Sequence, residues 1–183
     1  MKLFVGLGNP ETKYLGNRHN VGFMTIDTLF TFLNRKYKRK PAANSQKFLQ
    51  SSVFDFSPFA AVAKPMKHMN DSGVAVKKLV DAYHIDLKNL YLIHDDLDIP
   101  LGQYKIQFAK GPKVHNGVKS IESELDTNKF WRIRIGIEDR DASSRTKGED
   151  YVLEDFTEEQ KRIIKWVIQK LIHEELFEDL RYR

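Results

Sequence analysis

The chain has 183 residues, of which 41% are hydrophobic and 30% charged, with a net charge of +5 and no cysteine. Such a length buries the core of one domain without staples, and the lack of thiols excludes a disulfide framework, a cysteine nucleophile and a sulfur-rich zinc site. No stretch approaches the roughly 20 apolar residues of a membrane span, and Met1-Lys2-Leu3 does not open a leader peptide, so a soluble cytoplasmic protein is expected. Charge is spread unevenly, with +9 over residues 1–120 and −4 over 121–183. A basic body suits a polyanionic partner such as nucleic acid.

Lys2-Leu3-Phe4-Val5, ended by Gly6 and Gly8, reads as a first strand running into the polar loop GLGNPETKYLGNRHNVG. Phe23, Ile26, Phe30 and Leu33 at helical spacing predict a helix over about Val21–Leu33, with the basic run Arg35 to Lys40 at its end. Strand-like runs at Phe48–Phe56 and Phe59–Ala63 predict an antiparallel hairpin around Ser57-Pro58. A helix follows at about Val74–Tyr83, then strands at Leu90–Ile93 and Tyr104–Phe108, a helix at Val118–Leu125 and a strand at Ile133–Ile137. Thr157-Glu158-Glu159-Gln160 supplies a capping box for a long amphipathic helix from about residue 157. Its stripe Ile163, Ile164, Val167, Ile168, Leu171 and Ile172 should pack on the sheet. Strands alternating with helices argue an α/β fold, a single domain over 1–183 whose mixed, mostly parallel twisted sheet is flanked by helices.

Besides the opening loop, KPMKHMNDSG at 64–73, IHDDLDIPLG at 93–102 and KGPKVHNGVKS at 110–120 share one layout. An apolar strand ends, Asn, Asp or His appears, and a glycine or a helix follows. Ligands bind at the carboxyl ends of strands in α/β sheets, so these segments should converge at one edge. His19, at a helix start where the macrodipole disfavours imidazolium, suits general-base work. Asp95 or Asp96 could fix its tautomer, and Asn9, Asn70 and Asn116 could hold a water or a carbonyl through their amides. Without a G-x-S-x-G elbow or a cysteine, the nucleophile would be water. Glu11 stands where a dinucleotide fingerprint needs its third glycine, and no metal is expected from His94, Asp95, Asp96 and Asp98, since alternation along a strand sends neighbours to opposite faces.

At these residues the chain resembles the bacterial peptidyl-tRNA hydrolases. Gly6-Leu7-Gly8-Asn9-Pro10 with Tyr14, Arg18-His19-Asn20 and Gly22 repeats the family's opening motif. Lys64-Pro65 with Met69-Asn70 and Ser72-Gly73, His94-Asp95-Asp96-Leu97-Asp98 with Pro100 and Gly102, and His115-Asn116-Gly117 repeat the next three. Arg132-Ile133-Arg134-Ile135-Gly136-Ile137 and Tyr151-Val152-Leu153 match further segments, in family order.

The resemblance implies hydrolysis of the ester between a peptide, or an N-acylated amino acid, and tRNA. His19 would be the catalytic base and Asp95 its orienting partner. Asn9 and Asn70 would place the water and the ester carbonyl, and Asn116 the peptide backbone. Tyr14 and Met69 would line the cleft, His115 would shape its tRNA-facing side, and Lys105 and Arg134 would meet acceptor-stem phosphates. It further implies a cytoplasmic monomer in translation and ribosome rescue, with peptidyl-tRNA as partner and without a cofactor, an obligate protein partner or a membrane. The chain departs from the family's usual pattern at Glu11 (glycine), Asn17 (threonine), Lys67-His68 (threonine and an aromatic), Lys113-Val114 (glycines) and Glu138-Asp139.

Overall fold

The structure is a computed structural model that describes residues 1–38, 47–48, 50–141 and 146–176, with 47 and 48 described by backbone alone. The strands are β1 (Lys2–Gly6), β2 (Lys47–Phe48), β3 (Ser51–Phe56), β4 (Ala60–Pro65), β5 (Leu90–Pro100), β6 (Tyr104–Phe108) and β7 (Trp131–Glu138). They form one sheet in the order β2-β3-β4-β1-β5-β7-β6. β4, β1, β5 and β7 run parallel in the centre. The edges are antiparallel, with β2 and β3 returning on β4 and β6 on β7.

The helices are α1 (Val21–Tyr37), α2 (Ser72–Ala82), α3 (Asn116–Leu125), α4 (Gly148–Tyr151) and α5 (Glu158–Lys170). One core cluster joins α1 and α5 to the sheet through Ile26, Leu29, Ile133, Ile135, Ile164 and Val167. The opposite face packs on α2 and α3 through Leu3, Val5, Val76, Leu79, Leu92 and Ile121. Central strands covered on both faces explain the near-continuous burial of Leu3, Phe4 and Val5.

Several elements differ in extent from the sequence reading. The run at 48–56 is broken between β2 and β3, where Gln50 takes a left-handed φ of 64°. β5 continues past Ile93 to Pro100, its pairing with β7 shifting register between Asp96 and Pro100. The capping box at Thr157 and Gln160 starts α5, worth about 1 kcal/mol, and the expected stripe is split: α5 ends at Lys170 and a π-helical turn carries Leu171–Leu176. In the basic run after α1, Arg39 and Lys40 lie outside the described residues. Among the described residues no helix is long and apolar enough to cross a membrane.

Candidate active site

The loop after β1 reaches the sheet's carboxyl edge because glycine lets α1 close on it. A Cβ at Gly22 would lie 2.5 Å from the carbonyl oxygen of Ile93 and from the backbone of Leu7, and one at Gly6 would lie 2.2 Å from the carbonyl oxygen of Gly22. The 3-10 turn Arg18–Asn20 then feeds α1 directly and sets His19 above the end of β5.

The opening segment is also strapped from far along the chain. The His19 N–H donates to the carbonyl of Val152 at 2.8 Å, Arg18 N–H to that of Glu154 at 3.1 Å, and Phe156 N–H to that of Gly16 at 3.0 Å. The buried Arg18 guanidinium lies over the Tyr151 ring at 3.9 Å and donates to Gln160 Oε1 at 2.9 Å. Asn17 donates to the Leu153 carbonyl, so the family's threonine position holds a side chain used for this strap.

A cleft of roughly 600 Å³ opens at this edge, and Asn9, Tyr14, His19, Met69, Asn70, Asp95, His115 and Asn116 all line it. Leu97, Val114, Val152 and Leu153 add apolar lining. The convergence of the polar segments therefore follows from the parallel order of β4, β1 and β5.

Asp95 lies at the centre. Its Oδ1 is 2.8 Å from His19 Nδ1 and 3.0 Å from His115 Nε2. A carboxylate only accepts, so both rings present N–H to it and His19 keeps Nε2 for the cleft. Burial by itself would push the Asp95 carboxyl up, but the two imidazoles outweigh it and hold the group well below the usual carboxylate range. At His19 burial opposes protonation most strongly, yet the charge and hydrogen bond of Asp95 together prevail and raise the pKa above the ordinary histidine value. The helix start was expected to keep this ring neutral, and the nearer carboxylate is the stronger influence.

Asp96, the other candidate, faces away. Its Oδ2 accepts from Arg134 Nε at 2.6 Å and its Oδ1 from the Asp98 amide at 2.8 Å. Arg134, read from the resemblance as a phosphate contact, has a side chain only 8% exposed here, and its second donor goes to Gln107 Oε1 at 2.7 Å. Lys105, opposite it in register on β6, is exposed.

Asn9 is tied at three points. Its N–H donates to Asn20 Oδ1 at 2.8 Å, its carbonyl accepts from Asn20 Nδ2 at 2.9 Å, and its Oδ1 accepts from the Met69 N–H at 3.0 Å. Its Nδ2 is the part left for a ligand. Asn20, which the sequence reading gave no role, thus positions Asn9; its place directly after His19 in the matched motif was its signal. Asn70 and Asn116 are both exposed, at the turn after β4 and at the start of α3, two segments that pack on each other, since a Cβ at Gly117 would lie 2.4 Å from Met69 Sδ.

His19, Asp95 and His115 offer ligand atoms within 4.8 Å of one another, a donor set a metal could use. His115 opposes that use. Its Nδ1 accepts from the Val118 N–H at 3.3 Å as the cap of α3, so the proton sits on Nε2 and points at Asp95. A metal on Nε2 would force that proton onto Nδ1, against the amide. Behind it, buried His94 donates from Nδ1 to the Asp95 carbonyl at 2.6 Å, and its pKa is pushed down to about 3, mainly by burial.

The sequence profile of the peptidyl-tRNA hydrolase family matches residues 3–177. The chain belongs to that family. It is 44% identical over 164 residues to a peptidyl-tRNA hydrolase of Geobacillus thermodenitrificans, covering 88% of this chain and 83% of the relative. With the Pseudothermotoga lettingae family member it shares 37% identity over 172 residues, 94% of this chain and 87% of that one. The crystal structure of the peptidyl-tRNA hydrolase from Acinetobacter baumannii superposes with a TM-score of 0.77 at 25% identity, covering 98% of this chain and 92% of that one. Family membership and the single α/β sheet agree with the fold expected from the strand and helix order.

Proposed function

We propose that this chain, a hydrolase by family, cleaves the ester between a peptide or N-acylated amino acid and tRNA by water that His19 activates. The observation that carries the reading is the 2.8 Å contact of His19 Nδ1 with Asp95 inside a cleft lined by Asn9, Asn70 and Asn116. With Nδ1 bonded to the carboxylate, Nε2 faces the cleft as the base. It takes a proton from water as the water oxygen attacks the ester carbonyl. Negative charge gathers on the carbonyl oxygen, and the amide N–H groups of Asn9 and Asn70 are the donors suited to receive it. Collapse expels the tRNA hydroxyl, to which His19 returns the proton.

Asp95 serves by holding one tautomer and by stabilising the imidazolium that forms in the transition state. His115 shares its carboxylate and so acts as a positioning residue. Asn116, which lines the cleft with Asn70, is suited to the peptide backbone, with Tyr14 and Met69 as apolar lining. Exposed Lys105 at the β6 edge supplies a phosphate contact. The reading includes a monomeric, cytoplasmic enzyme that frees tRNA in translation.

The test is release of acetylated amino acid from N-acetyl-aminoacyl-tRNA, with unacetylated aminoacyl-tRNA as control. Wild type should cleave the acetylated ester alone, and His19→Ala should lower kcat by about 10²–10⁴-fold with little change in KM. Wild type that binds tRNA without cleaving either ester would make the chain an RNA-binding protein instead.

A further inference from the structure

β5 loses one of its neighbours where the chemistry begins. Its pairing with β1 ends at Gly6, opposite Ile93, and the Leu7 N–H makes a last bond to the Ile93 carbonyl at 2.9 Å. Alternate carbonyls of a strand point to the same side, so the next one toward β1 is that of Asp95. There the chain has already left β1 for the opening loop. On its other side β5 still runs with β7, Asp95 opposite Ile135. The backbone under the central carboxylate is therefore flanked by a strand on one side alone.

His94 takes the place of the missing strand. The ring is fully buried, and its Nδ1 donates to the Asp95 carbonyl at 2.6 Å. It also meets the His115 ring edge to face, with centroids 4.9 Å apart at 68°. One side chain thus holds the carbonyl of Asp95 and backs the imidazole that holds its carboxylate. Three groups face the ring: His115 from α3, Arg134 opposite it on β7, and Asp95 next along the strand. Burial first, then His115 and more weakly Arg134, keep a second proton off it against the pull of Asp95. Nε2 is buried and has no hydrogen-bond partner among the described residues. Only the Nδ1–H is in use, so the ring serves as a donor and not as a base.

We infer that His94 is a positioning residue of the active site: by holding the Asp95 carbonyl and backing His115, it keeps the Asp95 carboxylate on His19 Nδ1. This rests on the peptidyl-tRNA reading and adds to it a residue that touches neither substrate nor the base. Without the bond the backbone at Asp95 can shift, and the carboxylate leaves His19. The base then loses both its fixed tautomer and the charge that raises its pKa.

The experiment compares wild type, His94→Phe and His94→Asn on N-acetyl-aminoacyl-tRNA, with kcat, KM, the pH–rate profile and the denaturant midpoint of each. Phenylalanine keeps a ring against His115 and removes the donor; asparagine returns an amide N–H near the place of Nδ1. His94→Phe should lower kcat by about 10-fold to 100-fold with little change in KM, and its acid limb should move to lower pH. His94→Asn should recover most of the rate and the wild-type limb. In the wild-type protein, ¹⁵N spectra of the imidazoles should find the His94 proton on Nδ1 alone between about pH 5 and 8. A proton on Nε2, or a ring that titrates in that range, overturns the inference. So does His94→Phe with wild-type kcat and limb, or with a lower kcat and an unmoved limb, which would make the ring filler. His94→Asn decides the matter even where His94→Phe does not fold, since a folded asparagine variant that has lost both rate and limb overturns it too. Wild type inactive on the ester would overturn the peptidyl-tRNA reading itself, whatever the His94 ring shows.

Discussion

Asp95 and Asp96 are adjacent on β5, both buried, both paired with a nitrogen base, and they do opposite things. Asp95 faces the α1 side and bonds two imidazoles whose protons can move. Asp96 faces the α3 side and bonds Arg134, whose proton cannot. The difference is the partner and the face, not the carboxylate. One pair is suited to proton transfer, and the other lies against the loop before His115, where a Cβ at Gly111 would be 2.4 Å from Arg134 Cζ.

The sharpest way to break this contrast is at the structural pair. Arg134→Gln leaves Asp96 buried and unpaired and should cost about 3–5 kcal/mol of stability. Denaturant midpoints will read that loss, while kcat of the molecules still folded should stay within a few-fold of wild type. A large fall in kcat at full folding would mean that the two aspartates share the chemistry.

Next comes Asp95→Asn. It should lower kcat by about 10²-fold or more through loss of the tautomer and of imidazolium stabilisation, with far less effect on stability than Arg134→Gln. The sign of its pH effect follows from the direction of the His19 shift. The free base is the active form, and Asp95 raises the pKa of His19, so the acid limb of kcat/KM in wild type should lie above the ordinary histidine pKa of about 6.5. Without the carboxylate that limb should move to lower pH, which a pH–rate profile of the residual activity will show.

The smallest expected effect separates Lys105 from Arg134. Lys105→Gln should weaken tRNA binding a few-fold and reduce the slope of log K against log salt by about 0.7–0.9, the share of one phosphate. Arg134→Gln should leave that slope unchanged. Salt titrations of binding on both variants will tell an exposed cation from a buried one.

Much of this was legible because each polar segment announces a strand end: apolar run, then Asn, Asp or His, then a turn. The order of strands across the sheet was not, so convergence of the segments could be expected and their partners could not. Asp95 and Asp96 were equivalent in the residues alone, since which face looks toward α1 depends on the pairing of β5 with β1 and β7. The role expected of Arg134 came from the resemblance, and its burial against Asp96 was not legible in the residues. Its alternation with Ile133 and Ile135 reads as a strand with one solvated face, yet that face is covered, and Arg132 on it is fully buried against Glu122.

The strap over the opening loop bears on when activity can appear during synthesis. His19 lies near the start of the chain, but its backbone amide is held by Val152, and its neighbours by Glu154 and Gly16 with Phe156. A growing chain that has delivered His19, Asp95 and His115 still lacks the seat for its base until Val152 through Phe156 have left the ribosome. A cut or local unfolding at 152–156 would therefore take the backbone support from His19 while leaving Asp95 and His115 on their own elements.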